Sequence, residues 1–295
     1  MNRFEILGTG NKNILVLTGI HGNETTPVYC GYMLKNMKFD KTKFKKLTIL
    51  NAVNTDGIKR NIREVPNDAT NDLNRMFKVS LGDDITTGEL EHLFNDNDVT
   101  IDIHSSPKCC EMILLNQDRS TNSYVNFALK HNIKYLIRYS DANTIKKYGL
   151  DKNKISFTLE INGLHFIDFN SAKRGSELVN TIINNCDSFE LKHEEPKHEA
   201  YFDLQTHKSG LFIPRQQILG TDIKKGFVVG EILDLTTLEK TVIVYNKNIE
   251  STVICCGASQ YVSPSNSLFF LQPKVKIRTR SSSVGYESIT KKVKE

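Results

Sequence analysis

The feature that most restricts this chain is a change of periodicity close to residue 190. Before it, short apolar runs rich in β-branched residues, at 14–20, 47–53, 99–103 and 155–161, have the length of strands. Segments with helical spacing, at 26–37, 87–94, 124–131 and 171–183, lie between them. Alternation of this kind predicts an α/β fold, a sheet covered by helices on both faces. After Cys186 the helical spacing stops. A polar stretch at 192–199 (K-H-E-E-P-K-H-E) reads as a boundary, and only short strand candidates follow, at 201–204, 226–235, 241–245, 251–256 and 267–271. Turn signals separate them, which predicts a smaller all-β domain. The expected organisation is a catalytic α/β domain over 1–190, an all-β C-terminal domain over 191–280, and a mobile basic tail over 281–295.

Composition removes several classes of function. With 39% hydrophobic and 25% charged residues the chain is too apolar for wholesale disorder, and 17 Gly with 7 Pro is too few for a fibrous protein. No apolar run approaches the ~18–20 residues of a spanning helix, and the first ten residues lack the apolar core of a signal peptide. Six cysteines include two adjacent pairs and no C-x-x-C, which reads as reduced thiols in a cytoplasmic setting. The net charge is +5. Residues 272–295 carry Lys274, Lys276, Arg278, Arg280, Lys291, Lys292 and Lys294 against Glu287 and Glu295, so this end accounts for the whole excess. The remainder is formally neutral, and neither a nucleic acid nor a membrane is expected as partner. The run at 38–46 lacks aromatic interleaving and reads as solvated surface.

Four places could carry chemistry. In Gly19-Ile20-His21-Gly22-Asn23-Glu24 an apolar strand runs into a Gly-flanked turn, with Pro27 suited to a first helical position. His21 and Glu24 then stand at the carboxyl end of a strand, where open α/β sheets bind ligands, at a spacing that lets both reach one ion. Taken alone, H-x-x-E is more often an ordinary turn. In Asp102-Ile103-His104-Ser105-Ser106 a second histidine ends an apolar strand. Two histidines and one glutamate make the ligand set of catalytic zinc sites, with the fourth position left for water. Asp102 is expected on the opposite face of the strand from His104, in a structural or supporting part. In Asn71-Asp72-Leu73-Asn74-Arg75, a guanidinium beside an amide suits a carboxylate. Upstream, Arg60 or Arg63 could stabilise a developing oxyanion. In Thr158-Leu159-Glu160, a carboxylate inside an apolar strand is either an exposed-face residue or a general base. His193-Glu194 with His198 mimics a zinc motif, but the spacing is wrong and Pro196 breaks the helix it needs.

Together and in order, G-I-H-G-N-E, N-D-L-N-R, D-I-H-S-S and T-L-E resemble the succinylglutamate desuccinylase/aspartoacylase family, over most of the chain. The resemblance implies a zinc-carboxypeptidase-like fold: a mixed, mostly parallel sheet flanked by helices, followed by a smaller all-β domain. It implies one Zn2+ per chain held by His21, Glu24 and His104, and Glu160 as the base that activates water. It makes Asn74 and Arg75 the binders of the substrate α-carboxylate, and Arg63 the best match to the arginine that polarises the scissile carbonyl. The interval from Arg63 to Asn71 is longer than in aspartoacylases, so Arg60 stays in contention for that role. Tyr261 loosely matches a tyrosine lent to the site by the C-terminal domain.

The implied activity is hydrolysis of the amide of a small, anionic N-acyl amino acid, the acyl group being open. The family's second carboxylate-binding arginine, about ten residues before the base, has no counterpart here: 146–154 holds lysines and no arginine. N-acetylaspartate and N-succinylglutamate are therefore weakened as substrates. The alternatives are a metallocarboxypeptidase or peptide deacylase with an open cleft, and a non-catalytic zinc-binding protein. A homo-oligomer is compatible with all three readings.

Overall fold

In the strands V-T-I-D-I-H-S-S and I-S-F-T-L-E-I-N apolar residues alternate with polar ones, up to Ile103 in the first and throughout the second, so each strand presents one oily and one polar side. The rest of the fold is arranged around this pair. The computed structural model describes residues 2–65, 72–75, 85–138, 144–198, 200–256, 261–263, 267–274 and 290–291. In chain order the first elements are β1 (Asn2–Leu7), β2 (Asn13–Thr18), α1 (Thr25–Lys35), β3 (Lys46–Asn51), α2 (Thr55–Arg60) and α3 (Ile85–Asn95). Next come β4 (Val99–Ser106), β5 (Met112–Asn116), α4 (Thr121–Lys130), β6 (Lys134–Arg138), α5 (Ile145–Asp151), β7 (Ile155–Asn162) and α6 (Phe169–Asn185).

The seven strands form one sheet in the order β1-β3-β2-β4-β7-β5-β6. β3, β2, β4 and β7 run parallel, β1 is antiparallel at one edge, and β5 runs antiparallel to β7 with β6 parallel to β5. The mixed, mostly parallel α/β architecture expected from the sequence is the one observed. On one side Ile101, Ile103, Leu159 and Ile161 are buried with Cys30 and Leu34 of α1 and Val179 and Ile182 of α6. On the other, Leu15 and Leu17 pack with Leu93 and Phe94 of α3 and Ile145 of α5. The polar side of β4 and β7 faces this second layer.

The helices begin where capping chemistry allows. Asp168 accepts a hydrogen bond from the Ser171 amide at 2.9 Å and starts α6 two residues before the apolar spacing does. Asn54 and Thr144 cap α2 and α5 in the same way. α2, α5, β1, β5 and β6 were not expected; the two helices are under two turns long, and β5 and β6 lack a strict alternation.

Among its described residues the C-terminal part has strands as its only regular elements: β8 (Phe202–Gln205), β9 (Gly210–Pro214), β10 (Asp222–Ile223), β11 (Val228–Leu233), β12 (Lys240–Val244), β13 (Ser251–Cys256), β14 (Tyr261–Val262), β15 (Ser267–Pro273) and β16 (Thr290–Lys291). They make two antiparallel sheets, β10-β13-β15-β8 and β14-β9-β11-β12-β16, around a core that includes Val229, Ile232, Val253 and Phe269. Most of 275–295, including the basic stretch, lies outside the described residues. β13 is joined to the segment after β4 by a bridge between Cys109 and Cys255, with backbone bonds of 2.9 Å from Cys110 N to Ile254 O and from Cys256 N to Lys108 O. The Gln272 side chain accepts from the Ile137 amide at 2.8 Å, tying β15 to β6. Among the described residues no helix is long and apolar enough to cross a membrane.

One lysine of 146–154 is buried. Lys146 Nζ donates to the Leu114 carbonyl at 2.8 Å, and burial pushes its pKa down to about 7. Between about pH 7 and 10.5 the unfolded chain holds a proton that the folded chain gives up, so Lys146 makes stability rise with pH across that window. Its cost is greatest at and below pH 7. Lys146→Met is therefore expected to stabilise the protein at pH 7, on the order of 3 kcal/mol after loss of the Leu114 bond. The gain shrinks towards pH 10.5. Denaturant melts at about pH 7 and about pH 9.5 measure it, and a variant destabilised equally at both refutes it.

Candidate metal centre and active site

The turn between β2 and α1 carries His21 and Glu24, and it is held by a close approach of two backbones. A Cβ on Gly22 would lie 2.1 Å from the Gly57 carbonyl carbon, so only glycine lets α2 pack there. The Gly22 amide also donates to the Arg63 carbonyl at 3.2 Å, which draws the segment after α2 alongside His21. β4 supplies His104 from the next strand. His21 Nδ1 lies 2.7 Å from Glu24 Oε1, and His104 Nδ1 lies 3.0 Å from Glu24 Oε2 and 3.1 Å from His21 Nδ1. All three side chains are buried. Among the described residues they form a group whose donor atoms all fall within 4.8 Å of one another.

The nitrogens turned away from this point are also engaged. His104 Nε2 lies 2.7 Å from Asp102 Oδ2 and 3.0 Å from Asn74 Nδ2, and His21 Nε2 lies 3.0 Å from Asp72 Oδ1. Asp102 therefore shares a face with His104. Residues two apart in a strand point the same way, so the expectation that they face opposite sides was wrong. Asp72 is a hub: its Oδ1 accepts from the Asn74 amide at 2.9 Å and its Oδ2 from Arg63 Nη2 at 2.9 Å. Asn74 is anchored from behind, because its Oδ1 accepts from the Ile145 amide at 2.9 Å.

Charge follows from this packing. Burial alone would lower the His104 pKa, but the Asp102 and Glu24 carboxylates outweigh it and hold the imidazole well above the ordinary histidine range. Burial would raise Glu24 and Asp72. His104 and His21 instead pull Glu24 down, and His21 and Arg63 pull Asp72 down, both below the usual carboxylate range. Glu160 behaves oppositely. Burial lifts its pKa, Glu24 adds to the rise, and His104 opposes it. Its Oε2 accepts from Ser106 Oγ at 2.7 Å. The register places Glu160 beside His104 on adjacent strands.

A pocket of about 260 Å³ opens over these groups, and His21, Glu24, Arg63, Asn74, Arg75, His104 and Glu160 all line it. Arg75 donates to the Asn74 carbonyl at 3.0 Å and is otherwise exposed. Arg60, the other arginine in contention, is the exposed last residue of α2 and is not among the lining residues. Tyr261 stands in β14 opposite Leu211, and its side chain lies outside the described residues. Asn71 lies outside them as well.

Ser106 and Arg138 line the pocket without having been given a role in advance. Asp72 and Ser106 were visible inside the quoted motifs. Arg138 ends the strand K-Y-L-I-R, and that short β-rich run was the available signal.

The donor set suits a metal. Two buried imidazoles and a carboxylate converge on one point, and each imidazole is backed by an aspartate on its far nitrogen, as metal-binding histidines are.

A mixed sheet that gathers a His-Glu-His group and a glutamate at neighbouring strand ends, followed by antiparallel sheets, defines an α/β protein with a candidate metal centre beside a buried carboxylate. The model of the succinylglutamate desuccinylase/aspartoacylase catalytic domain matches residues 10–185, well over half of the chain, and the chain belongs to that family. The family is one of hydrolases. Solved structures share the fold at low identity. An aspartoacylase family protein from Mesorhizobium loti has TM-score 0.69 and 17% identity, over 93% of this chain and 89% of its own. A succinylglutamate desuccinylase/aspartoacylase from Rhodobacter sphaeroides has TM-score 0.67 and 15% identity, over 93% and 89%. The ectoine utilization protein EutE from Ruegeria pomeroyi, in a product-bound structure, has TM-score 0.66 and 18% identity, over 92% and 88%. No curated protein sequence matches the chain at a significant level.

Asp72→Asn removes the charge that both Arg63 and His21 lean on. It is expected to lower the unfolding free energy of the metal-free protein by about 1–3 kcal/mol at pH 7. The loss narrows only as pH falls below the ordinary carboxylate range, because folding holds the Asp72 pKa down. Denaturant melts of both proteins from pH 3 to 7 check this. Equal stability at pH 7 contradicts it.

Proposed function

We propose that this chain is a zinc-dependent amidohydrolase that cleaves the amide bond of a small anionic N-acyl amino acid. The observation that supports it most is the convergence of His21, Glu24 and His104 at the wall of a pocket that Glu160 also lines. In this reading His21, Glu24 and His104 hold one zinc ion per chain. Zinc at such a site makes hydroxide available near neutral pH and polarises a carbonyl.

The chain's own residues do the rest. Arg75 and Asn74 bind the substrate carboxylate, and Asn74 is pre-positioned by its bond to Ile145. Arg63 faces the scissile carbonyl from the Glu24 side, its Nη1 3.5 Å from Glu24 Oε1. Glu160 takes a proton from the attacking water and passes it to the leaving nitrogen, a task suited to a carboxyl whose pKa burial has raised. Ser106 fixes the orientation of that carboxyl. Tyr261 is assigned to substrate binding on the family resemblance alone. Residues 1–190 form the catalytic domain, and 191–280 form the all-β domain. The buried thiols support a reducing compartment such as the cytoplasm.

Glu160→Gln is expected to keep one zinc per chain by elemental analysis and to lower kcat by about 10²–10⁴-fold. A near-normal kcat would end this mechanism. A panel of N-acyl amino acids, set against a tripeptide, tests the substrate class. Higher kcat/KM on the tripeptide would make the protein a carboxypeptidase, and zinc content near zero in unchelated protein would make it non-catalytic.

A further inference from the structure

Beyond Glu160 the pocket does not stop. A second recess of about 320 Å³ shares Ser106, Pro107, Leu114, Arg138 and Glu160 with it. The floor is the continuation of one face of the main sheet. Met112 stands opposite Glu160, Leu114 opposite Thr158, and Leu136 opposite Leu114. The roof comes from the C-terminal strands, with Cys255 and Cys256 of β13, Phe270 of β15, and Tyr201 just before β8. Met112, Leu114, Leu136 and Cys255 belong to one buried apolar cluster, with Tyr201 and Phe270 packed against it. Charged groups, Arg138 and Glu160, stand only where the two spaces join. Past that junction the walls are overwhelmingly apolar.

We infer that this recess receives the acyl chain of the substrate, and that the physiological substrate carries an apolar acyl group of several carbons on its amino acid. The inference rests on the function proposed above and narrows its substrate class. The scissile carbonyl must lie between the metal-ligand group and Glu160. The amino-acid carboxylate is held at Asn74 and Arg75, so the chain on the other side of the carbonyl leaves over Glu160, along β7, β5 and β6. That path ends in the apolar recess. An acetyl group would leave the space unfilled, and beyond the junction held by Arg138 and Glu160 the walls match an apolar chain better than a second carboxylate.

The test is a matched series on zinc-loaded full-length protein: acetyl, butanoyl, hexanoyl and succinyl derivatives of L-alanine and of L-aspartate. The expected result is a rise in kcat/KM of roughly fourfold per methylene from acetyl to hexanoyl, the fold-change equivalent of ~0.8 kcal/mol per buried CH₂. Highest kcat/KM on the acetyl or succinyl compounds overturns the inference. So does a rate that climbs with the amino-acid side chain, from N-acetylalanine to N-acetylphenylalanine, and not with the acyl chain.

Leu136→Phe fills the floor and Cys256→Met the roof. In whichever variant keeps a cooperative thermal melt, the preferred acyl chain is expected to shorten, and no shortening overturns the assignment. If no N-acyl amino acid is cleaved at all, the proposed function falls by itself. Calorimetry with acetate and hexanoate then decides the recess: tighter hexanoate binding supports it, and equal or weaker binding overturns it.

Discussion

Two histidines, three carboxylates and a guanidinium crowd one end of the main sheet, and His21, Glu24, Asp102 and His104 are almost wholly removed from water. Ionisable groups tolerate such burial only when each finds a partner of opposite charge or a hydrogen bond. That requirement organises the surroundings. Asp102 answers His104, Asp72 answers His21 and Arg63, and the Ser105 amide donates to Glu24 at 2.9 Å. Asp102 and Ser105 come from β4 and Asp72 from just before Leu73–Arg75, so the turn after β2, the strand β4 and that short 3₁₀ turn are fixed against one another by electrostatics as much as by packing. Glu160 stands slightly apart from this network. It keeps a hydroxyl for company and a raised pKa, and that difference separates a group suited to moving protons from groups suited to staying charged.

The sheet supplies the ruler. Parallel pairing of β4 with β7 in register sets His104 beside Glu160, and pairing of β2 with β4 brings the His21 turn to the same end. The alternation of apolar and polar residues along β4 and β7 then decides that all the chemistry faces one layer while the opposite face packs on α1 and α6.

Much of this could be read from the residues. The apolar runs at 47–53, 99–103 and 155–161 fell on strands, and the four helical segments fell on helices, because each was long enough to show its period. β5 and β6, M-I-L-L-N and K-Y-L-I-R, show no apolar–polar alternation to read. With them went the floor of the recess and Arg138. The His21, Glu24 and His104 group could be proposed because strand ends are where such folds place ligands. Their aspartate partners were harder. Asp72 is 51 residues from His21, so nothing local in the chain announces the contact. Asp102 was misplaced for a simpler reason, a miscounted alternation in a strand whose register was otherwise clear. The choice between Arg60 and Arg63 likewise waited on α2, whose last turn carries Arg60 away from the pocket.

The reversal of β5 carries a consequence of its own. Had β5 run parallel to β7, its connection from β4 would have crossed to the far end of the sheet. Because it runs backwards, the chain turns round within residues 107–111, directly at the mouth of the pocket, and the same turn grips β13 through Cys109 and Cys110. Floor and roof of the recess thus share a short connection that contains no proposed metal ligand. Insertions or deletions there would resize the chamber while leaving the metal-ligand geometry in place, which gives a lineage with this fold a way to change diet without relearning chemistry.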